Sequence, residues 1–211
     1  MIFKYNNQQA IFIHVPKTGG SYIQKFFQKN NISLDKFVVI REEHDLIDRF
    51  GVIGKFTDKK HQSFLEYCRK DPKFLNYKCF ISVRKPFERM VSFYFSPHRW
   101  VKYNINTGKH YSPKNVVFNE EDFIEIVKRE NPAWQHISLS QDYLPPKKLI
   151  ILRHESLDKD LQDNFKGFKF LSRRINTSLY SDLAELVIKN KRLREIVESD
   201  PGHRKDLDIF Y

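Results

Sequence analysis

Three runs of apolar residues divide the chain: Ala10 to Val15 (AIFIHV), Lys78 to Arg84 (KCFISVR) and Lys148 to Arg153 (KLIILR). Each is short, rich in β-branched or aromatic side chains and apolar at successive positions, which is the pattern of a strand covered on both faces. A fourth strand is expected at Phe37 to Arg41. Between the runs, apolar residues recur at helical spacing: Ile23, Phe26 and Phe27 after the first, Phe64, Leu65 and Cys68 before the second, Phe87, Met90, Val91 and Tyr94 after it. Strands alternating with helices predict an α/β fold, a single domain over residues 1–211 with a central parallel sheet flanked by helices. Ser96 to Asn119 keeps no period and carries two prolines and Gly108, so a long surface loop is expected there. A helix is expected from about Glu121 to Arg129, and Leu183, Leu186, Val187, Leu193 and Val197 mark a helical C-terminal third.

Composition fits a water-soluble fold with a full core: 40% of residues are hydrophobic, 19 of them Phe, against 30% charged and a mean hydropathy of -0.59. The 37 Lys and Arg outnumber the 26 Asp and Glu, and the resulting charge of +11 favours anionic partners. Basic residues are spread from Lys4 to Lys205, so charge alone does not choose among nucleic acid, acidic membrane, polysaccharide and polyanionic nucleotide. Two cysteines, Cys68 and Cys79, are too few for a disulfide framework or a four-ligand metal site, and reduced thiols are expected. The stretch Ala10 to Val15, interrupted by His14, is too short for a signal peptide core or a membrane span, which predicts a cytoplasmic protein.

Candidate chemistry sits where strands end. In HVPKTGGSY, His14 to Tyr22, Pro16 stops the first strand, Gly19 and Gly20 permit a sharp turn and close ligand approach, and Ser21 is expected to cap the following helix. Helix-end N–H groups with Lys17 and the Thr18 hydroxyl make a phosphate-binding strand-loop-helix. It is not the nucleoside-triphosphatase loop, because the lysine precedes the glycines. In VRKPFERMVSFYF, Val83 to Phe95, Pro86 opens a helix and Arg84 stands at the carboxyl end of a strand, where open α/β sheets bind ligands. Arg84 and Ser92 lie about two helical turns apart and can reach one anion. Arg89 reads as an outward charge on the same helix.

Strand, PKTGGS, helix, then a strand ending in VRKPFERMVSFY resembles the sulfotransferases that use 3′-phosphoadenosine-5′-phosphosulfate (PAPS), in particular the carbohydrate branch with the heparan sulfate 2-O- and 6-O-sulfotransferases and bacterial relatives. The resemblance implies a P-loop-like fold in which Lys17, Thr18, Gly19, Gly20, Ser21 and Tyr22 hold the 5′ end of PAPS, while Arg84 and Ser92 hold its 3′-phosphate. It further implies that KHQSFLEY, Lys60 to Tyr67, supplies the histidine base, His61, and that QDYL and RHESLDKDL lie between the acceptor loop and the C-terminal helices. Lys85 departs from the Asp or Asn common at its position in the family, which changes the local charge and removes no donor.

Lys17 is then placed to meet charge on the leaving oxygen, beside His61 as base, and no metal is expected because no acidic strand end is present. The acceptor is a hydroxyl, expected on a saccharide, and no nucleic acid partner or membrane span is expected. His98, Arg99, Trp100, Lys102 and Tyr103 mix cations with aromatics, either as a face for an acidic sugar or as an ordinary loop with Trp100 in the core. His98 and His110 stand next in line as bases, while His14 reads as a core residue and His154 has no supporting context. Two rivals stay open: a kinase, which lacks its phosphate loop and metal carboxylates here, and a non-catalytic polyanion binder, which leaves the two strand-end motifs unexplained.

Overall fold

The computed structural model describes residues 1–5, 8–32, 34–35, 61–100, 102–111, 113–171 and 180–211. Its centre is a sheet in the order β3-β1-β2-β4-β7, with β1 Ile2–Tyr5, β2 Gln8–His14, β3 Leu34–Asp35, β4 Lys78–Val83 and β7 Leu149–Arg153. The three apolar runs form β2, β4 and β7, and these pair in parallel. β1 departs from the expected all-parallel sheet: it pairs antiparallel with both β2 and β3. With four residues it is too short to show a period. The strand expected at Phe37 to Arg41 lies outside the described residues.

Alternation along the strands explains the two core layers. Ala10, Phe12, Phe80 and Leu152 face one side, against Ile23, Phe26 and Phe27 of α1 (Gly20–Lys29) and Leu157 and Leu161 of α5 (Leu157–Asn164). Ile11, Ile13, Cys79, Ile81 and Val83 face the other, against Phe64 and Tyr67 of α2 (Phe64–Lys70) and Phe210 of α8 (Pro201–Phe210). Each fully buried Phe or Ile contributes about 1.5–3 kcal/mol by leaving water. A third cluster lies off the sheet: Phe87, Met90 and Tyr94 of α3 (Pro86–Tyr94) pack on Phe123 and Ile126 of α4 (Glu120–Arg129), Val187 of α6 (Ser181–Ile188) and Leu193 of α7 (Lys191–Ser199).

The segment expected to be a bare loop contains a short 3-10 turn, Pro97–Trp100, and a hairpin of β5 (Lys102–Asn104) and β6 (Lys109–Tyr111). Its cause is local. The Asn104 side chain accepts from the N–H groups of Asn106 and Thr107, and Gly108 takes a left-handed φ of 63°.

The parallel register sets His14 opposite Ser82 and Val83 opposite Arg153. The chain therefore leaves β2, β4 and β7 at one edge, where the loops that follow meet.

Candidate active site

The loop after β2 is held in a strained conformation. Lys17 has φ 66° and Gly19 φ 89°. Glycine takes that region freely, whereas a lysine there costs about 1–2 kcal/mol and needs its surroundings to hold it. Those surroundings are visible. Thr18 Oγ1 donates to the Val15 carbonyl at 2.7 Å and lies 2.6 Å from Ser82 Oγ, which must then donate to it. Lys17 Nζ donates to Ser96 Oγ at 3.0 Å.

Two expectations change here. The Thr18 side chain is fully buried and its hydroxyl is used inside the loop, so what Thr18 offers a ligand is backbone. The helix starts at Gly20 with Gly19 as its cap, which puts Ser21 inside the first turn. The Gly19 carbonyl accepts from the Tyr22 and Ile23 N–H groups, no side chain caps the helix, and its first turn has no acid. The positive end of the helix dipole and the N–H groups of Gly20 and Ser21 thus suit an outside anion. Gly20 has a second reason to be glycine: a Cβ there would stand 2.0 Å from the His14 ring.

The two strand-end motifs converge. Gly19 and Tyr22 from the first, and Arg84 and Ser92 from the second, line one cavity of about 480 Å³. Lys17 and His61 stand at the same edge of the sheet and are not among its lining residues. Part of the cavity lining is apolar, from Val91, Phe95, Ala184 and Ile188.

A third wall was missed from sequence. It runs from His154 to Lys159, directly after β7. Tyr22 is bound to it, its hydroxyl donating to Asp158 Oδ1 at 2.7 Å, and Glu155 accepts from the Lys85 N–H at 2.8 Å. The His154 ring lies against Gly19, with Nδ1 3.0 Å from where a Cβ would sit. The strand-end argument applied to Arg84 points equally to His154, since β7 is the third parallel strand.

His61 is half-buried beside β2. Its Nδ1 is 2.9 Å from the His14 carbonyl and its ring centroid 4.5 Å from that of His14. A carbonyl only accepts, so Nδ1 carries the hydrogen and the neutral ring holds its lone pair on Nε2. The helix that follows is fixed by a reciprocal cap between Ser63 and Glu66.

Arg89 overturns the expectation of an outward charge. It is fully buried, with Nε donating to the Pro16 carbonyl at 3.2 Å and Nη2 to the Asn131 carbonyl at 3.0 Å. It lies on the buried stripe of the helix with Pro86 and Phe93, three residues before and four after.

The mixed face after α3 is largely engaged within the protein. Trp100 donates its indole N–H to the Tyr94 carbonyl at 2.8 Å, and Arg99 lies over the Tyr94 and Trp100 rings and pairs with Asp122 at 3.3 Å. Lys102 is exposed at the base of the hairpin, and His98 belongs to the 3-10 turn. Arg99, Trp100 and Lys102 are not among the residues that line the cavity.

Among the described residues, no group of three or more His, Cys, Asp or Glu is arranged to hold a metal, and no helix is long and apolar enough to cross a membrane. No curated protein and no solved structure matches the chain. The Sulfotransferase family model matches residues 2–192, a span that holds both strand-end motifs and the third wall, and the chain therefore belongs to the sulfotransferase family, the enzymes of sulfuryl transfer.

Proposed function

We propose that the protein moves a sulfuryl group from PAPS to a hydroxyl of a saccharide, with His61 as general base and Lys17 opposite the leaving oxygen. The observation that carries this reading is the convergence of Gly19, Tyr22, Arg84 and Ser92 on one cavity of about 480 Å³, within the size range of small-ligand sites. A nucleotide with phosphate at both its 5′ and 3′ positions fits the donor set: a helix N-terminus, an arginine and a serine, with apolar lining for a base.

PAPS, when bound, supplies the sulfuryl group. The rest falls to the chain. Lys17 and the first-turn N–H groups of α1 stabilise negative charge at the loop, where it grows during transfer. Arg84 and Ser92 hold the 3′-phosphate by charge-assisted hydrogen bonds and so fix the reacting end in line. His61 Nε2 takes the acceptor's proton while Nδ1–H stays on the His14 carbonyl. The saccharide class rests on the resemblance of both motifs to the carbohydrate branch, and the net charge of +11 suits an acidic one. Free Cys68 and buried Cys79 fit a reducing compartment such as the cytoplasm.

The test is transfer of label from sulfur-35 PAPS to a panel of neutral and acidic oligosaccharides, with ATP labelled on its γ-phosphate as the control donor. Label should pass from PAPS alone, with or without EDTA. Transfer from ATP, or from neither donor to any acceptor, would sink the proposal.

A further inference from the structure

We infer that Arg89 is a positioning residue for sulfuryl transfer, holding the peptide plane between Pro16 and Lys17 with its buried guanidinium. The inference rests on the proposal that this loop receives the 5′ end of the nucleotide.

A fully buried guanidinium costs several kcal/mol in lost hydration unless its donors are met. Arg89 has no exposed surface and does not line the cavity, so ligand binding does not account for it. It joins separate segments instead. Nε donates to the Pro16 carbonyl, Nη2 to the Asn131 carbonyl, and the guanidinium stacks 5.2 Å from the Phe93 ring. Asp206 of α8, equally buried, is a carboxylate near enough to feel the Arg89 charge.

The position of the Pro16 bond matters because that oxygen belongs to the peptide plane that ends at the Lys17 nitrogen. Rotation of this plane is the φ of Lys17, which stands at 66°. Released, the plane relaxes toward negative φ, where a lysine is unstrained. The Lys17 ammonium and the N–H groups entering α1 would swing with it. A misplacement of about 1 Å at such a site costs on the order of a hundredfold in rate.

Arg89→Lys keeps the positive charge and cannot fork to two carbonyls. A second variant, Arg89→Gln with Asp206→Asn, removes both buried charges together and carries the test if the lysine variant does not fold. Affinity is read for adenosine 3′,5′-bisphosphate and for adenosine 3′-monophosphate, and turnover is read with PAPS. Loss of the loop geometry should cut the preference for the bisphosphate about tenfold and turnover about ten- to a hundredfold, with 3′-monophosphate affinity held within about twofold. A folded variant that keeps both preference and turnover, or that loses both nucleotides in equal measure, overturns the inference. Wild-type protein that binds neither nucleotide removes the site reading first, and the inference with it.

Discussion

His61 Nδ1 stands 2.9 Å from the backbone carbonyl of His14, so the strand that leads into the Lys17–Gly19 loop also sets the tautomer of the proposed base. Replacing His61 with Ala should lower turnover about a hundred- to ten-thousandfold, the usual worth of a positioned base, and leave nucleotide affinity nearly unchanged. The pH profile of turnover should lose its acidic limb. A variant retaining more than about a tenth of wild-type turnover would move the role to another histidine, His98 or His110 first.

Arg84 shares its cavity with Ser92 and Gly19. Adenosine 3′,5′-bisphosphate at a hundredfold excess over its dissociation constant should stabilise the protein by about 2.7 kcal/mol and raise the melting temperature well above what 5′-AMP achieves. In Arg84→Ala the two nucleotides should draw level, since a charge-assisted bond worth roughly 1.5–3 kcal/mol is gone. Equal shifts in the wild type would refute the 3′-phosphate site.

Gly20 faces the His14 ring so closely that a methyl group would stand 2.0 Å from it. Gly20→Ala should destabilise the fold by about 1–3 kcal/mol, the range for overpacking, and disturb the loop. Adding His14→Ala makes room, and the double variant should recover part of the loss in urea unfolding. Additive losses would show that the two residues do not meet as described.

Asp206 accepts from the Ala133 and Trp134 N–H groups, both at 2.8 Å, inside the protein. Burial pushes its pKa up to about 6, against the pull of Arg89 and those two N–H groups. The folded state therefore holds this proton over a range where the unfolded chain has lost it, so the contribution to stability is largest at low pH. It falls as pH rises from about 4 to about 6 and is constant above that. Asp206→Asn does not titrate. The stability of wild type relative to this variant should drop by on the order of 3 kcal/mol across that window, about two pKa units. Burial lowers the pKa of His203, whose contribution is lost as pH falls, but both proteins share it and it cancels in the difference. A difference that does not change with pH would refute the assignment.

The sequence by itself determined the parallel strands and the two strand-end motifs. A strand covered on both faces must be apolar at successive positions, and a turn from strand to helix around an anion needs glycine beside a cation. Both demands are local, so Ala10 to Val15, Lys78 to Arg84, Lys148 to Arg153 and the residues Lys17 to Gly20 could be read in order. The resemblance to the sulfotransferase family rested on them, and the match of the family model bears it out. What only the tertiary structure decided depends on partners far away in the chain. Tyr22 meets Asp158 across 136 positions, and Arg89 meets Pro16 across 73. A charge on a helix reads as solvated until the carbonyls that receive it are known, and a threonine hydroxyl reads as a ligand donor until its hydrogen is seen to go to the Val15 carbonyl while Ser82 donates to it. Pairing of β2, β4 and β7 brings these groups together, because parallel strands deliver the loops that follow them to the same edge of the sheet.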